Sequence, residues 1–186
     1  MTSHYDWFAD WVENHVLLTL VAAKGPDAAS LLAAFGPAVF DQGDRTLQEV
    51  LGLSEPTVRI GTTTTGWAYS VETLTVRGGA PDFLQQVSSD GGEAFSLCFT
   101  PTISSFLYAR DGALVNGFDI TGPQFRFGND EHAFDRQMHA AGLLTGEGPR
   151  PKAAVASFVA QTFGLSITRD MLEARLPCAT LGPVGG

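Results

Sequence analysis

The chain has 186 residues, 44% apolar and 17% charged, a globular composition with enough length for one domain and a sizeable core. Its net charge of −9 repels phosphate backbones, which argues against nucleic acid and leaves room for a basic protein partner. The apolar run His15–Ala23 is far shorter than the about 20 residues of a membrane span, and "MTSHYDWFADW" carries acids where a signal peptide carries bases. The expectation is a cytoplasmic protein without a membrane.

In chain order, Ser3 can cap a short first helix, with Asp6 in its first turn and Trp7 and Trp11 on one face. His15–Ala22 reads as a buried strand because it is short, continuous and apolar. "KGPDAASLLAAFG" reads as a helix, with Pro26 in its first turn, Leu31, Leu32 and Phe35 as its stripe and Gly36 as its stop. Thr46–Ser54 reads as a second short helix. From Pro56 the period changes to two, and two strands meet in a turn near Thr64–Gly66. In the second, Trp67, Tyr69 and Val71 point one way and Ala68, Ser70 and Glu72 the other.

A short helix around Pro81–Val87 precedes the strand "EAFSLCF", with Phe95, Leu97 and Phe99 on one face. Asp111–Gly112 is a turn dipeptide between two strand-like runs, the clearest hairpin signal in the chain. Asp130–Leu144, Ala153–Gly164 and Thr168–Leu176 read as helices, with Phe134, Met138 and Ala141 forming the stripe of the first. Pro177 stops the last, and "TLGPVGG" reads as an extended or frayed end. The expected fold is therefore a single α+β domain over residues 1–186. It has an antiparallel sheet of five to six strands, helices packed on one face, and a helical C-terminal third.

No catalytic set assembles. G-x-S-x-G, G-x-G-x-x-G and Walker patterns are all missing, and "TTTTG" resembles a phosphate loop in composition only. Cys98 and Cys178 make neither a disulfide framework nor a metal knuckle, and Cys98 is expected as a buried thiol. His132, Asp135 and His139 share one face of a helix at i, i+3 and i+7, a spacing open to metal, but a solvated polar face explains it better. The terminal Gly185–Gly186 reads as fraying. No cofactor is expected.

Asp119 can be an acid or base at a strand end, or a cap on the following turn, and the cap is favoured. Glu72 faces solvent if Trp67 and Tyr69 face the helices. If it is buried it needs a partner such as Arg59 or Arg77. Residues 1–55 hold eight acids against Lys24 and Arg45, a balance of −6 out of −9. This uneven charge would steer a basic partner.

Five stretches, "LTLVAAKGPDAASLLAAFG", "GWAYSVE", "YARDGALVNGFD", "HAAGLL" and "FGLSITRDMLEARL", occur in that order over nearly the whole chain. Together they resemble an uncharacterised family, found mainly in actinomycetes and catalogued as domain of unknown function 6461. Gly66-Trp67 with Val71-Glu72, and Asp111-Gly112 with Phe118-Asp119, carry most of the likeness. The resemblance implies a small, single-domain, intracellular bacterial protein and brings no catalytic residue with it.

The expected function is a non-enzymatic binding or regulatory protein, of the kind that masks a basic partner as an immunity protein does. The alternative is a small enzyme or small-molecule binder with a pocket between sheet and helices. In either case the candidate binding residues are Trp67, Tyr69, Glu72, Tyr108 and Asp119.

Overall fold

The computed structural model describes residues 4–15, 17–36, 38–145 and 150–182, with residues 38–42 described in backbone only. Ser3 and Gly185–Gly186, singled out in the sequence, lie outside the described residues. Nine strands form one antiparallel sheet: β1 (Leu18–Lys24), β2 (Ala38–Arg45), β3 (Thr57–Thr62), β4 (Ala68–Thr73), β5 (Glu93–Phe99), β6 (Ser104–Arg110), β7 (Ala113–Asp119), β8 (Gly122–Phe127) and β9 (Leu176–Leu181). Their order across the sheet is β2-β9-β3-β4-β1-β5-β6-β7-β8. Seven helices are described: α1 (Asp6–Asn14), α2 (Ala28–Ala34), α3 (Leu47–Leu51), α4 (Pro81–Val87), α5 (Asp135–Ala140), α6 (Pro151–Phe163) and α7 (Arg169–Glu173). A 3-10 turn spans Arg77–Gly79.

The α+β class holds, but three parts of the expectation are corrected. The sheet has nine strands, not five or six. Its helices cover both faces, not one. The C-terminal third is not a helical block, because it ends in β9, which sits inside the sheet between β2 and β3.

Two apolar clusters show the two covered faces. On the first, Leu18, Leu20, Trp67, Tyr69, Val71, Phe95, Leu97, Phe106, Tyr108 and Phe118 pack against α1, α3, α5, α6 and α7. On the second, Val21, Ala23, Val58, Ile60, Ala68, Leu107, Ala109 and Ala179 pack against α2 and α4. A strand covered on both sides must be apolar at every position, and β1, at the middle of the sheet, is buried from Leu18 to Ala23. The strand begins at Leu18 rather than His15 because α1 runs to Asn14 and Leu17 takes a left-handed φ of 69° between them.

Of the strands that went unseen, β2 and β8 are the two edges of the sheet and β9 lies next to an edge. β8 carries Pro123 near its start, which an edge strand tolerates because one side of its backbone needs no ladder partner. In β9, Pro177 precedes the stretch paired with β3, which is Cys178–Thr180. The helix ends moved too. α7 stops at Glu173 rather than Leu176, and α5 begins only at Asp135, so His132 precedes the helix. Pro26 lies before α2 rather than in its first turn, and Asp27 caps the helix, accepting from the Ser30 backbone N–H at 2.8 Å.

Candidate functional site

The turn after β3 is built from threonine. The Thr63 N–H donates to the Trp67 carbonyl at 2.8 Å, and the Thr63 hydroxyl accepts from the Trp67 N–H at 3.1 Å. Gly66 supplies the positive φ, 84°, that closes the loop. Trp67 itself points into the core, against Phe95 and Phe163 with ring centroids 5.6 and 6.1 Å away. Tyr108 is buried as well. Its hydroxyl donates to Glu93 Oε2 at 2.9 Å, and burial together with that carboxylate pushes its pKa upward.

Glu72 is fully buried, although Trp67 and Tyr69 do face helices. The choice between a wet and a dry Glu72 assumed one covered face, and the second helical layer removes that assumption. Of its two expected partners, Arg59 is excluded by register: it pairs with Val71 and so lies on the opposite face. Arg77 is near enough to act through its charge, yet its guanidinium donates to the carbonyls of Phe35 and Gly182. Glu72 Oε1 instead accepts from the Gly78 N–H at 2.9 Å, and Oε2 has no partner. Burial pushes the Glu72 pKa up to about 8, against the pull of the Gly78 and Arg77 backbone and the Arg77 charge. No Cβ would fit at Gly78, where it would collide with Val21 and Glu72. The carboxyl group therefore fastens the 3-10 turn to the sheet.

Across the sheet from Glu72 lies Thr19, and beyond it Cys98, whose sulfur accepts from the Thr19 hydroxyl at 3.4 Å. Burial raises the Cys98 pKa, so this thiol is not activated. The buried hydroxyls of Ser70 and Ser96 have no partner on the same face. This is a closed polar seam with no opening to solvent, so it offers no place for a substrate.

Asp119 is exposed and caps the β7–β8 turn. Its Oδ1 accepts from the Thr121 N–H (2.7 Å), the Thr121 hydroxyl (2.5 Å) and the Gly122 N–H (3.2 Å). Asp119→Ala is expected to lower the urea midpoint modestly, and Asp119→Asn, which keeps an acceptor oxygen, to lower it less.

The histidine spacing on the expected helix does not survive. Asp135 is taken by Arg126 at 2.6 Å and by His132 at 3.0 Å. Among the described residues no group of three or more His, Cys, Asp or Glu side chains is arranged to hold a metal ion.

Two features were missed in the sequence. The first is Arg59, a buried cation with no carboxylate beside it. It donates to the carbonyls of Leu172 (2.5 Å) and Ala174 (3.1 Å) at the end of α7, and burial lowers its pKa to about 10. It stays charged at neutral pH. In front of it, Tyr69 lines a cleft of about 470 Å³ between the Thr62–Thr65 turn and the α6–α7 connection.

The second is the outer edge of β8, where Phe125 is 73% and Phe127 45% exposed. The Phe127 ring lies over Gly117 beside Leu107. α4 packs over β5, β6 and β7, and its cover thins at β8. The alternation of Phe125 and Phe127 with Gln124 and Arg126 is the signal that could have revealed this strand.

No family model matches the chain, and neither a curated protein nor a solved structure does. Among the described residues no helix is long and apolar enough to cross a membrane.

Proposed function

We propose that this chain is a non-enzymatic binding or regulatory protein of the bacterial cytoplasm that masks a basic protein partner, with the β8 edge as its docking surface. The observation that carries this reading is the pair of exposed aromatics on a strand with no neighbour on its outer side among the described strands. Such an edge offers unpaired backbone groups, which an extended segment can use by adding one more strand. Phe125 and Phe127 supply apolar contact for alternate side chains of that segment. The flanks are acidic: residues 119–136 hold Asp119, Asp130, Glu131 and Asp135 against Arg126 and Arg136. A segment alternating basic and apolar residues fits that chemistry.

The acid-rich residues 1–55 contribute less than their count suggests. Arg150 lies 2.8 Å from Asp10 and 3.7 Å from Glu13, and Arg175 lies 2.7 Å from Glu49. C-terminal arginines thus occupy part of the N-terminal charge. Membership of the uncharacterised family named above belongs to the same proposal and rests on the resemblance of the five stretches quoted above.

The test is hydrogen exchange of the β8 amides with a peptide alternating lysine and valine, and with its glutamate–valine counterpart. The lysine peptide is expected to protect Gln124–Phe127 and to lose most of that effect at high salt. Phe125→Ser with Phe127→Ser is expected to abolish it. Equal protection by the glutamate peptide, or protection elsewhere, would count against the reading. So would a dimer formed through β8 in sedimentation.

A further inference from the structure

We propose that the cleft beside the Thr62–Thr65 turn binds a neutral, polyhydroxylated small molecule of monosaccharide size. This site is separate from the β8 edge, and neither depends on the other.

Tyr69 forms its floor. The side chain is 4% exposed, and its ring lies across Gly61, where any Cβ would collide with it. Gly61 thereby lets the ring lie flat while the hydroxyl reaches the cleft that Tyr69 lines. That hydroxyl has no hydrogen-bond partner among the described residues. The hydroxyl is not sealed in the core but meets solvent at the cleft, where a ligand hydroxyl can take the place of water.

The walls add further polar groups, all but that of Thr63 on exposed residues. Thr63 and Thr168 are used within the protein, the first in the turn and the second as the cap of α7. Thr62, Thr64 and Ser166 line the same cleft with no partner among the described residues, as does the carboxylate of Asp170. The cleft therefore presents four uncommitted hydroxyl groups and one carboxylate. At about 470 Å³ it lies in the range of small-molecule sites.

The charges select the class. Asp170 is the acidic side chain of the lining, and among the described residues no cation lines the cleft, so an anion gains nothing there. Arg59 is buried and bound to carbonyls rather than lining the cleft, and its charge lowers the Tyr69 pKa against the upward push of burial. A lone ammonium would use Asp170 and leave the hydroxyls unpaired. A polyol uses both, because each hydroxyl can donate and accept while a carboxylate accepts from two neighbouring hydroxyls at once. Met171 and Leu165 provide apolar surface for the C–H face of such a ring.

The experiment uses the whole chain with glucose, galactose, mannose, ribose and myo-inositol as probes, and glucose 6-phosphate as the anionic control. Saturation-transfer NMR reads binding, and amide shifts of Thr62–Thr65 read its place. At least one neutral probe is expected to bind with a Kd of about 1 mM. Tyr69→Phe is expected to weaken it about tenfold with the melting temperature unchanged, since the hydroxyl makes no internal bond. Asp170→Asn, on the surface, is expected to weaken it similarly. The proposal is overturned by the absence of saturation transfer from every neutral probe. It is equally overturned by binding that both variants leave intact, or by tighter binding of the phosphate ester.

Discussion

Replacing Glu72 by glutamine is expected to stabilise the fold at and above neutral pH and to remove most of its loss of stability between about pH 4.5 and pH 8. In the unfolded chain this carboxyl ionises near its ordinary value of 4.5, while in the fold burial holds the proton until about pH 8. Between those values the folded chain carries one proton more than the unfolded chain, so stability falls as pH rises. The contribution is whole below pH 4.5 and gone above pH 8. At about 1.4 kcal/mol per pH unit the cost reaches about 3 kcal/mol by pH 7. Glutamine keeps the oxygen that accepts from Gly78 and cannot ionise. Its amide nitrogen brings new donors into a dry site, so the gain at pH 7 is expected to be nearer 2 kcal/mol than the full figure. Urea unfolding from pH 5 to pH 9 measures it. The difference between wild type and variant isolates Glu72 from every other titrating group. A difference that does not grow with pH would mean that Glu72 is ionised in the fold and neutralised by Arg77.

The same residue shows what could be read in the sequence. The alternation of "GWAYSVE" assigns Trp67, Tyr69 and Val71 to one face and Ser70 and Glu72 to the other, and the register with β3 and β1 bears this out. Alternation gives sides and says nothing of what covers each side. The polar residues Ser70, Glu72, Thr19 and Ser96 look like a wet face in sequence, yet α2, α4 and the Arg77–Gly79 turn lie over that face. Arg59 misleads in the same way, since only the fold brings the carbonyls of Leu172 and Ala174 to it across more than a hundred residues. β8 and β9 were missed because Gly122-Pro123 and Pro177 are breakers in local terms, and their tolerance depends on where the strand lies in the sheet. The candidate residues divided accordingly. Trp67 and Tyr108 are core, Glu72 is a buried fastening, Asp119 is a turn cap, and Tyr69 alone reaches an open cleft.

Phe106→Ala is expected to cost about 3–5 kcal/mol, while Phe125→Ala is expected to change stability by no more than about 0.5 kcal/mol. Phe106 is fully buried at the centre of an aromatic cluster that joins the sheet to α6 and to Phe134 before α5. Its ring centroid lies 4.9 Å from Phe118, 5.2 Å from Phe158, 6.1 Å from Phe95, 6.2 Å from Phe163 and 6.4 Å from Phe134. Two of these five rings come from strands (Phe95 and Phe118) and three from the helical side (Phe134, Phe158 and Phe163); truncation would leave a cavity that two rigid layers cannot both close. Phe106→Leu keeps most of the volume and is expected to cost clearly less than alanine. Phe125 is the opposite case, a residue of the same type whose ring already meets water. Its removal takes away little buried area, so its effect belongs in partner binding and not in the unfolding midpoint. Equal losses for the two alanine variants in urea would contradict both assignments together: Phe106 would not be the hub of the core, and the β8 aromatics would be holding the fold rather than waiting for a partner.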